Sequence, residues 1–291
     1  MAKIKLLTDS ASDIPDSDLE QYGIELLSIP IAVDGVGYFE RKSFSVEEWY
    51  PILQNSQEIP VTSKVPERDF LEGYQRAFDE GYTDVIAVTI SSTGSGTYDS
   101  AVMARDSFYE QNPAAKETFA IHPVDSRNYT IGYGCAVIQA AKMAQEGKAV
   151  EEILAYLADW FDCLEIFLGM YTLEYVKKSG RVSGLSAFVG EALGLRPILA
   201  MVEGKSTTID KVRGDKNVVP SIFEAYKKNC ADKSAPVAIL YGTDKESAQE
   251  LADMVEKETG VKAPLYQAGA AVSINSGPRV IALACRGKKR T

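Results

Sequence analysis

The sequence predicts an α/β fold in two domains. Residues 1–163 read as a three-layer α/β/α domain on a parallel sheet, and residues 164–291 as a two-layer α/β domain on a mixed sheet. Three observations predict this. Strand-like and helix-like segments alternate through the first half, which calls for crossover connections and a parallel sheet. Val85-Ile86-Ala87-Val88-Thr89-Ile90 is a continuous apolar run, as in a strand buried on both faces. In the second half the pattern shifts to hairpins plus helices, which suits a mixed sheet with helices on one face.

Each element has its own signal. Residues 4–8 form a short apolar strand, closed by the turn Asp9-Ser10-Ala11-Ser12-Asp13. Residues 15–22 form a helix, and residues 24–33 a strand ended by Asp34-Gly35, a hairpin signal. Ser45-Val46-Glu47-Glu48 is a capping box that starts a helix through about residue 54. Pro66 opens the next helix, with Phe70, Tyr74 and Phe78 spaced by four. After the 85–90 strand a helix begins near Gly96. Residues 119–124 are a strand, and 131–145 and 150–161 are helices. Beyond the boundary come a strand at 164–171, a short helix at 173–178, and a helix rich in small residues at 185–195. Strands at 197–202 and 206–212 flank the turn Glu203-Gly204-Lys205. Helices at 215–229 and 245–258 surround a strand at 237–241, and two strands close the chain at 270–274 and 279–284.

Composition narrows the function. The 291 residues carry 31 Lys plus Arg against 41 Asp plus Glu, a net charge of −10. A basic face for nucleic acid is therefore not expected. No apolar run is long enough to span a membrane, and the N-terminus lacks a secretory apolar region, so the expected setting is cytoplasmic. The four cysteines are widely spaced, without a zinc pattern. The single histidine, His122, excludes a histidine cluster and leaves a Ser-His-Asp triad only if His122 itself serves.

The segment with the most chemistry is Ser91-Ser92-Thr93-Gly94-Ser95-Gly96-Thr97. It lies between a strand and a helix, where open parallel sheets bind ligands and helix N-terminal N–H groups favour an anion. It is not a nucleophile elbow, because both glycines sit directly beside Ser95. Gly204-Lys205-Ser206 is not a phosphate loop, because Leu199 stands where that motif needs glycine. Thr62-Ser63, Asp9-Ser10 and Asp125-Ser126 read either as caps and turns or as ligand-facing hydroxyls on the same edge.

In order along the chain, Thr8-Asp9-Ser10-Ala11-Ser12-Asp13, Thr62-Ser63, Ser91-Ser92-x-x-Ser95-Gly96-Thr97-Tyr98 and Asp125-Ser126 precede Leu173-Glu174-Tyr175-Val176-Lys177-Lys178-Ser179-Gly180-Arg181-Val182-Ser183. Leu195-Arg196-Pro197-Ile198-Leu199, Val212-Arg213-Gly214 and Ser276-Gly277-Pro278 follow. The ordered set resembles the DegV family of fatty-acid-binding proteins over the whole length. The resemblance implies a long-chain fatty acid in a buried tunnel, its carboxylate held by Thr62 and Ser95, with Ser63, Ser92, Arg213 and Asn275 as further candidates. It implies no metal or cofactor beyond that ligand, and a separate ATP-dependent fatty-acid kinase as partner. Helices at 131–141 and 185–195 are candidate tunnel walls. The usual His-x-Gly-Pro-Gly stretch of the family stands here as Asn275-Ser276-Gly277-Pro278-Arg279, and an amide cannot shuttle a proton as histidine does. Basic clusters at Lys177, Lys178 and Arg181 and at Lys288-Lys289-Arg290 suggest at most a transient contact with anionic lipid or an acidic partner. Competing readings are a hydrolase or phosphotransferase built on Ser95, and a transport or sensing protein with no kinase partner.

Overall fold

The computed structural model describes residues 3–179 and 194–290. The first half builds a parallel sheet in the order β2-β1-β6-β7 from β1 (Ile4–Asp9), β2 (Glu25–Leu27), β6 (Asp84–Thr89) and β7 (Ala120–Asp125). All of β6 is buried, as its unbroken apolar run requires. Side chains alternate between faces: Leu7, Val85 and Ala87 point to one core, and Leu6, Ile86 and Val88 to another. The first core is closed by α3 (Glu67–Asp79) and α4 (Thr97–Gln111), through Phe70, Tyr74, Ala101 and Phe108. The second is closed by α1 (Asp16–Tyr22), α5 (Thr130–Gln145) and α6 (Val150–Cys163). This is the expected three-layer arrangement.

The second sheet runs β10-β9-β8-β13-β11-β12. It comprises β8 (Leu164–Met170), β9 (Leu195–Val202), β10 (Lys205–Arg213), β11 (Ala238–Tyr241), β12 (Leu265–Gln267) and β13 (Val280–Arg286). Only the β11–β12 pair is parallel. Its own helices, α8 (Val218–Asn229) and α9 (Lys245–Thr259), cover the face bearing Phe167, Ile198, Ile239 and Leu283. The opposite face, with Ile166, Leu168, Leu199 and Met201, lies on α5 and α6. Two helices of the first half thus serve both sheets. Glycine permits this double contact: a Cβ on Gly132 would lie 2.7 Å from Ile166 Cδ1, and one on Gly134 only 2.2 Å from the Ser12 carbonyl oxygen. The sheet character changes where α6 runs directly into β8, at Cys163 and Leu164.

Several expectations are corrected. The single strand expected at 24–33 divides at Ser28-Ile29. Its second part, β3 (Pro30–Val33), joins β4 (Val36–Phe39) and β5 (Val61–Thr62) in a separate antiparallel sheet. Pro30 has no N–H to continue a ladder, and the Ile29 N–H instead donates to Ser10 Oγ at 3.0 Å. The hairpin turn is as expected, with Asp34 and Gly35 at φ 48° and 81°. So is the helix α2 (Val46–Asn55) with its Ser45–Glu48 capping box. The strand expected at 270–274 is instead α10 (Ala270–Ser276), and β12 was not expected at all. A short apolar run does not distinguish the two states by periodicity. Here two distant carboxylates decide: Asp13 accepts from the Gly269 N–H at 2.7 Å and Glu40 from the Ala271 N–H at 3.0 Å, satisfying donors that open every helix. The short helix at 173–178 is α7 (Glu174–Ser179). Of the helix expected at 185–195, residues 185–193 lie outside the described residues. Its last two, Gly194 and Leu195, are a turn and the first residue of β9.

Candidate functional site

The parallel register sets the carboxyl ends of three strands on one edge, with Thr8 opposite Val88 and Thr89 opposite Asp125. The Ser91–Gly96 loop leaves this edge braced from both sides. Asp9 accepts from the Ile90 N–H at 2.7 Å. Asp125 accepts from the Ser92 N–H at 3.1 Å and from the Ser92 hydroxyl. The strand-end aspartates therefore shape the loop rather than face a ligand.

Thr62, Ser63, Ser95 and Asn275 line one narrow pocket of about 100 Å³. A chain of hydroxyls ties two of the segments together. Ser95 Oγ lies 2.9 Å from Thr97 Oγ1, and Thr97 Oγ1 accepts from the Val65 N–H at 3.2 Å. Ser63 is fixed by its backbone, whose N–H donates to the Pro30 carbonyl at 2.9 Å. Asn275 donates from Nδ2 to the Ala271 carbonyl at 2.7 Å. Ile29, Ile90, Ile166, Leu168, Met201 and Val272 make the apolar wall. Half of this wall comes from β8 and β9, and α5 contributes its first residue, Thr130, to the pocket, while Ile131, Ala136 and Val137 pack into the core. Ser92 is exposed and engaged with Asp125. Arg213 is exposed at the end of β10. Neither lines the pocket. Tyr129 and Thr130 do, and sequence reasoning missed them. Their signal was position, three and four residues past the Asp125-Ser126 strand end that had been singled out.

Behind the pocket lies a buried acidic cluster. Burial, the largest influence on each, pushes the Asp9 carboxyl up to about 6, Asp13 to about 8 and Glu40 to about 7, against hydrogen bonds that favour the ionised forms. Tyr133 donates to Asp9 at 2.8 Å, Thr130 to Asp13 at 2.5 Å and Ser10 to Glu40 at 2.6 Å. With the α10 N–H bonds, this network seats a helix of the second half against the first.

The remaining singled-out residues are placed elsewhere. His122 on β7 contacts Asp84 at 3.1 Å and does not line the pocket. Arg279 sits 4.0 Å over the Tyr171 ring and is paired with Asp244 at 2.8 Å and with Asp215. Lys178 faces Glu58 at 3.8 Å, and Arg181 is outside the described residues. Lys289 binds Asp159 at 2.6 Å, and Arg290 reaches the Leu164 carbonyl at 2.6 Å. Among the described residues no helix is long and apolar enough to cross a membrane, and no group of three or more His, Cys, Asp or Glu side chains is placed to hold a metal ion.

Fold and site define an α/β protein of two main sheets and a small third one, with a pocket that joins neutral polar groups to an apolar wall. The chain belongs to the DegV family: the model for an uncharacterised protein of that family matches residues 3–288. A DegV domain-containing protein of Caldanaerobacter subterraneus is 32% identical over 280 residues, covering 96% of each chain. One from Clostridium perfringens is 30% identical over 282 residues, covering 97% of this chain and 98% of its own. Among solved structures, a fatty-acid-binding DegV family protein from Thermus thermophilus superposes with a TM-score of 0.84 at 25% identity, over 98% of this chain and all of its own. A DegV lipid-binding protein from Thermotoga maritima gives 0.85 at 25% identity, over 99% and 100%.

Proposed function

We propose that this protein binds a long-chain fatty acid in the pocket, with its carboxylate held by Thr62 and Ser95, and Ser63 and Asn275 beside them. The observation that carries the reading is the convergence of these residues, from three separate segments, on one pocket with an apolar wall. An acyl chain contributes roughly 0.8 kcal/mol per buried methylene before ordering costs. Its carboxylate enters only where donors replace water. Hydroxyls and an amide provide donors without burying a second charge. The Thermus and Thermotoga relatives, named for fatty-acid and lipid binding, support the same reading.

Ser95 Oγ is paired with the Thr97 hydroxyl, and the imidazole of the chain is held at Asp84. That arrangement supports binding over a hydrolase or phosphotransferase, which needs a base at its nucleophile. Presentation of the bound acid to a separate ATP-dependent kinase belongs to the same proposal and rests on the family resemblance. Asn275 supplies an amide, not a titrating imidazole, at the rim.

Lipid extraction and mass spectrometry of the purified protein should return a fatty acid. Thr62→Val and Ser95→Ala should each weaken palmitate binding about 10- to 100-fold, the worth of a hydrogen bond to a charged group. A protein that carries no lipid and takes up neither palmitate nor oleate overturns the proposal. So does ester or ATP turnover that Ser95→Ala abolishes.

A further inference from the structure

The β9–β10 hairpin reaches across to the head-group loop at one point. Its ladder with β8 runs from Gly169–Ile198 to Ile166–Met201, and the turn residues Glu203 and Gly204 lie beyond it. There the Gly204 carbonyl accepts two hydroxyls: Tyr129 at 2.9 Å and Thr93 at 3.0 Å. The two hydroxyls are 3.4 Å apart, and Thr93 is in turn 2.8 Å from Ser91 Oγ. One carbonyl with two lone pairs is thereby filled by two strands of contact from the other half of the chain. The approach is close enough to require glycine. A Cβ at Gly204, whose φ is 74°, would lie 2.2 Å from Thr93 Oγ1 and 2.3 Å from Ser91 Oγ.

Tyr129 also touches the loop itself. A Cβ at Gly94 would lie 2.7 Å from the Tyr129 hydroxyl oxygen and 2.8 Å from its ring. Tyr129 and Gly94 line the pocket next to Ser95, and Met201, three residues before Gly204, lines the apolar wall. The ion pair Arg127–Glu203 at 3.8 Å joins the same two elements, but both side chains are substantially exposed and such a pair is weak. The hydroxyl bonds are therefore the main fastening between the carboxylate loop and the strand that walls the acyl chain.

We infer that Tyr129 is a positioning residue for ligand exchange: its hydroxyl pins the Gly204 turn to the Ser91–Ser95 loop, and release of this pin opens the edge of the pocket through which an acyl ligand leaves. The inference rests on the fatty-acid reading above. It predicts a kinetic effect. The carboxylate contacts of Thr62 and Ser95 remain in a Tyr129→Phe protein, and the ring still packs on Gly94, so the loss falls on the closed state of the hairpin.

The test uses the full chain, stripped of lipid and loaded with the fluorescent acid cis-parinarate, which is then displaced by excess oleate in a stopped-flow instrument. Tyr129→Phe should raise the dissociation rate about tenfold, the scale of one lost hydrogen bond, with a smaller change in the uptake rate. Thr93→Val should act in the same direction, and the double variant more than either. Hydrogen exchange of the ligand-free protein supplies a second readout: the amides of residues 202–206 should exchange faster in both variants, while those of β6 do not. Unchanged dissociation and unchanged exchange at the turn, in variants that still bind parinarate, overturn the pin and leave fatty-acid binding standing. A folded wild-type protein that does not take up parinarate overturns the binding reading and the inference with it.

Discussion

The pocket and the acidic cluster behind it meet at Thr130 and at α10, yet their polar groups do opposite work. In the cluster each carboxylate oxygen of Asp9, Asp13 and Glu40 has a protein partner. A buried network satisfied in this way holds elements in place, because any member removed strands its neighbours. In the pocket the side chains are short hydroxyls and an amide beside apolar residues. They are neutral and rotatable, and in the proposed function they face the ligand. The cluster is buried, whereas Thr62, Ser63, Ser95 and Asn275 of the pocket are half-buried or exposed. Buried carboxyls with every oxygen hydrogen-bonded make a joint, and neutral donors on an apolar wall are what the proposed receptor needs.

The largest expected effect is on the joint. Asp13→Ala strands the Gly269 N–H and the Thr130 hydroxyl. It should lower the unfolding free energy by about 2–4 kcal/mol, read by urea denaturation. Fatty-acid uptake should fall with it, since α10 carries Val272 and Asn275. A variant of wild-type stability that binds no ligand would erase the distinction between joint and receptor.

The pH dependence should follow the joint as well. All three carboxyls are raised in the folded protein, to about 6, 7 and 8. The native state therefore keeps protons that the unfolded chain releases near pH 4. This contribution is complete below the unfolded value and is lost as pH rises through the folded values. Urea midpoints should fall between about pH 5 and 8, and Asp13→Asn should flatten the upper part of that slope. A midpoint rising over this range would contradict the assignment.

A smaller effect sharpens the receptor. Leu168→Trp narrows the wall formed by β8. Affinity for palmitate should drop about tenfold, and affinity for octanoate less, as measured by calorimetry. Equal losses for both acids would place Leu168 at the head rather than along the chain. The smallest effect is the control: His122→Ala should change stability by about 0.5 kcal/mol at most and leave ligand affinity unaltered.

Much of the molecule was legible in the sequence. The buried strand β6, the Ser45 capping box and the Asp34-Gly35 and Glu203-Gly204 turns are written in local residue types. The Thr62 and Ser95 pair was legible only through the ordered motifs of the family, since each alone reads equally well as a cap. The division of residues 24–33 between two sheets was less visible, because it depends on where the Ile29 N–H finds its acceptor. Tyr129 was missed because its importance lies in a carbonyl of residue 204, which no spacing rule connects to it.

The sequence by itself determined the alternation of strands and helices, the parallel sheet and the loop at its edge. These follow from periodicity, caps and turn residues that act within a few positions. Tertiary structure alone decided that residues 270–276 coil, and that Thr62, Ser95 and Asn275 share a pocket. The physical reason is where the partners lie: the carboxylates that satisfy the first N–H groups of α10 belong to residues 13 and 40, more than two hundred positions away. Until the two halves close on α5 and α6, those donors have no acceptor to choose the helix.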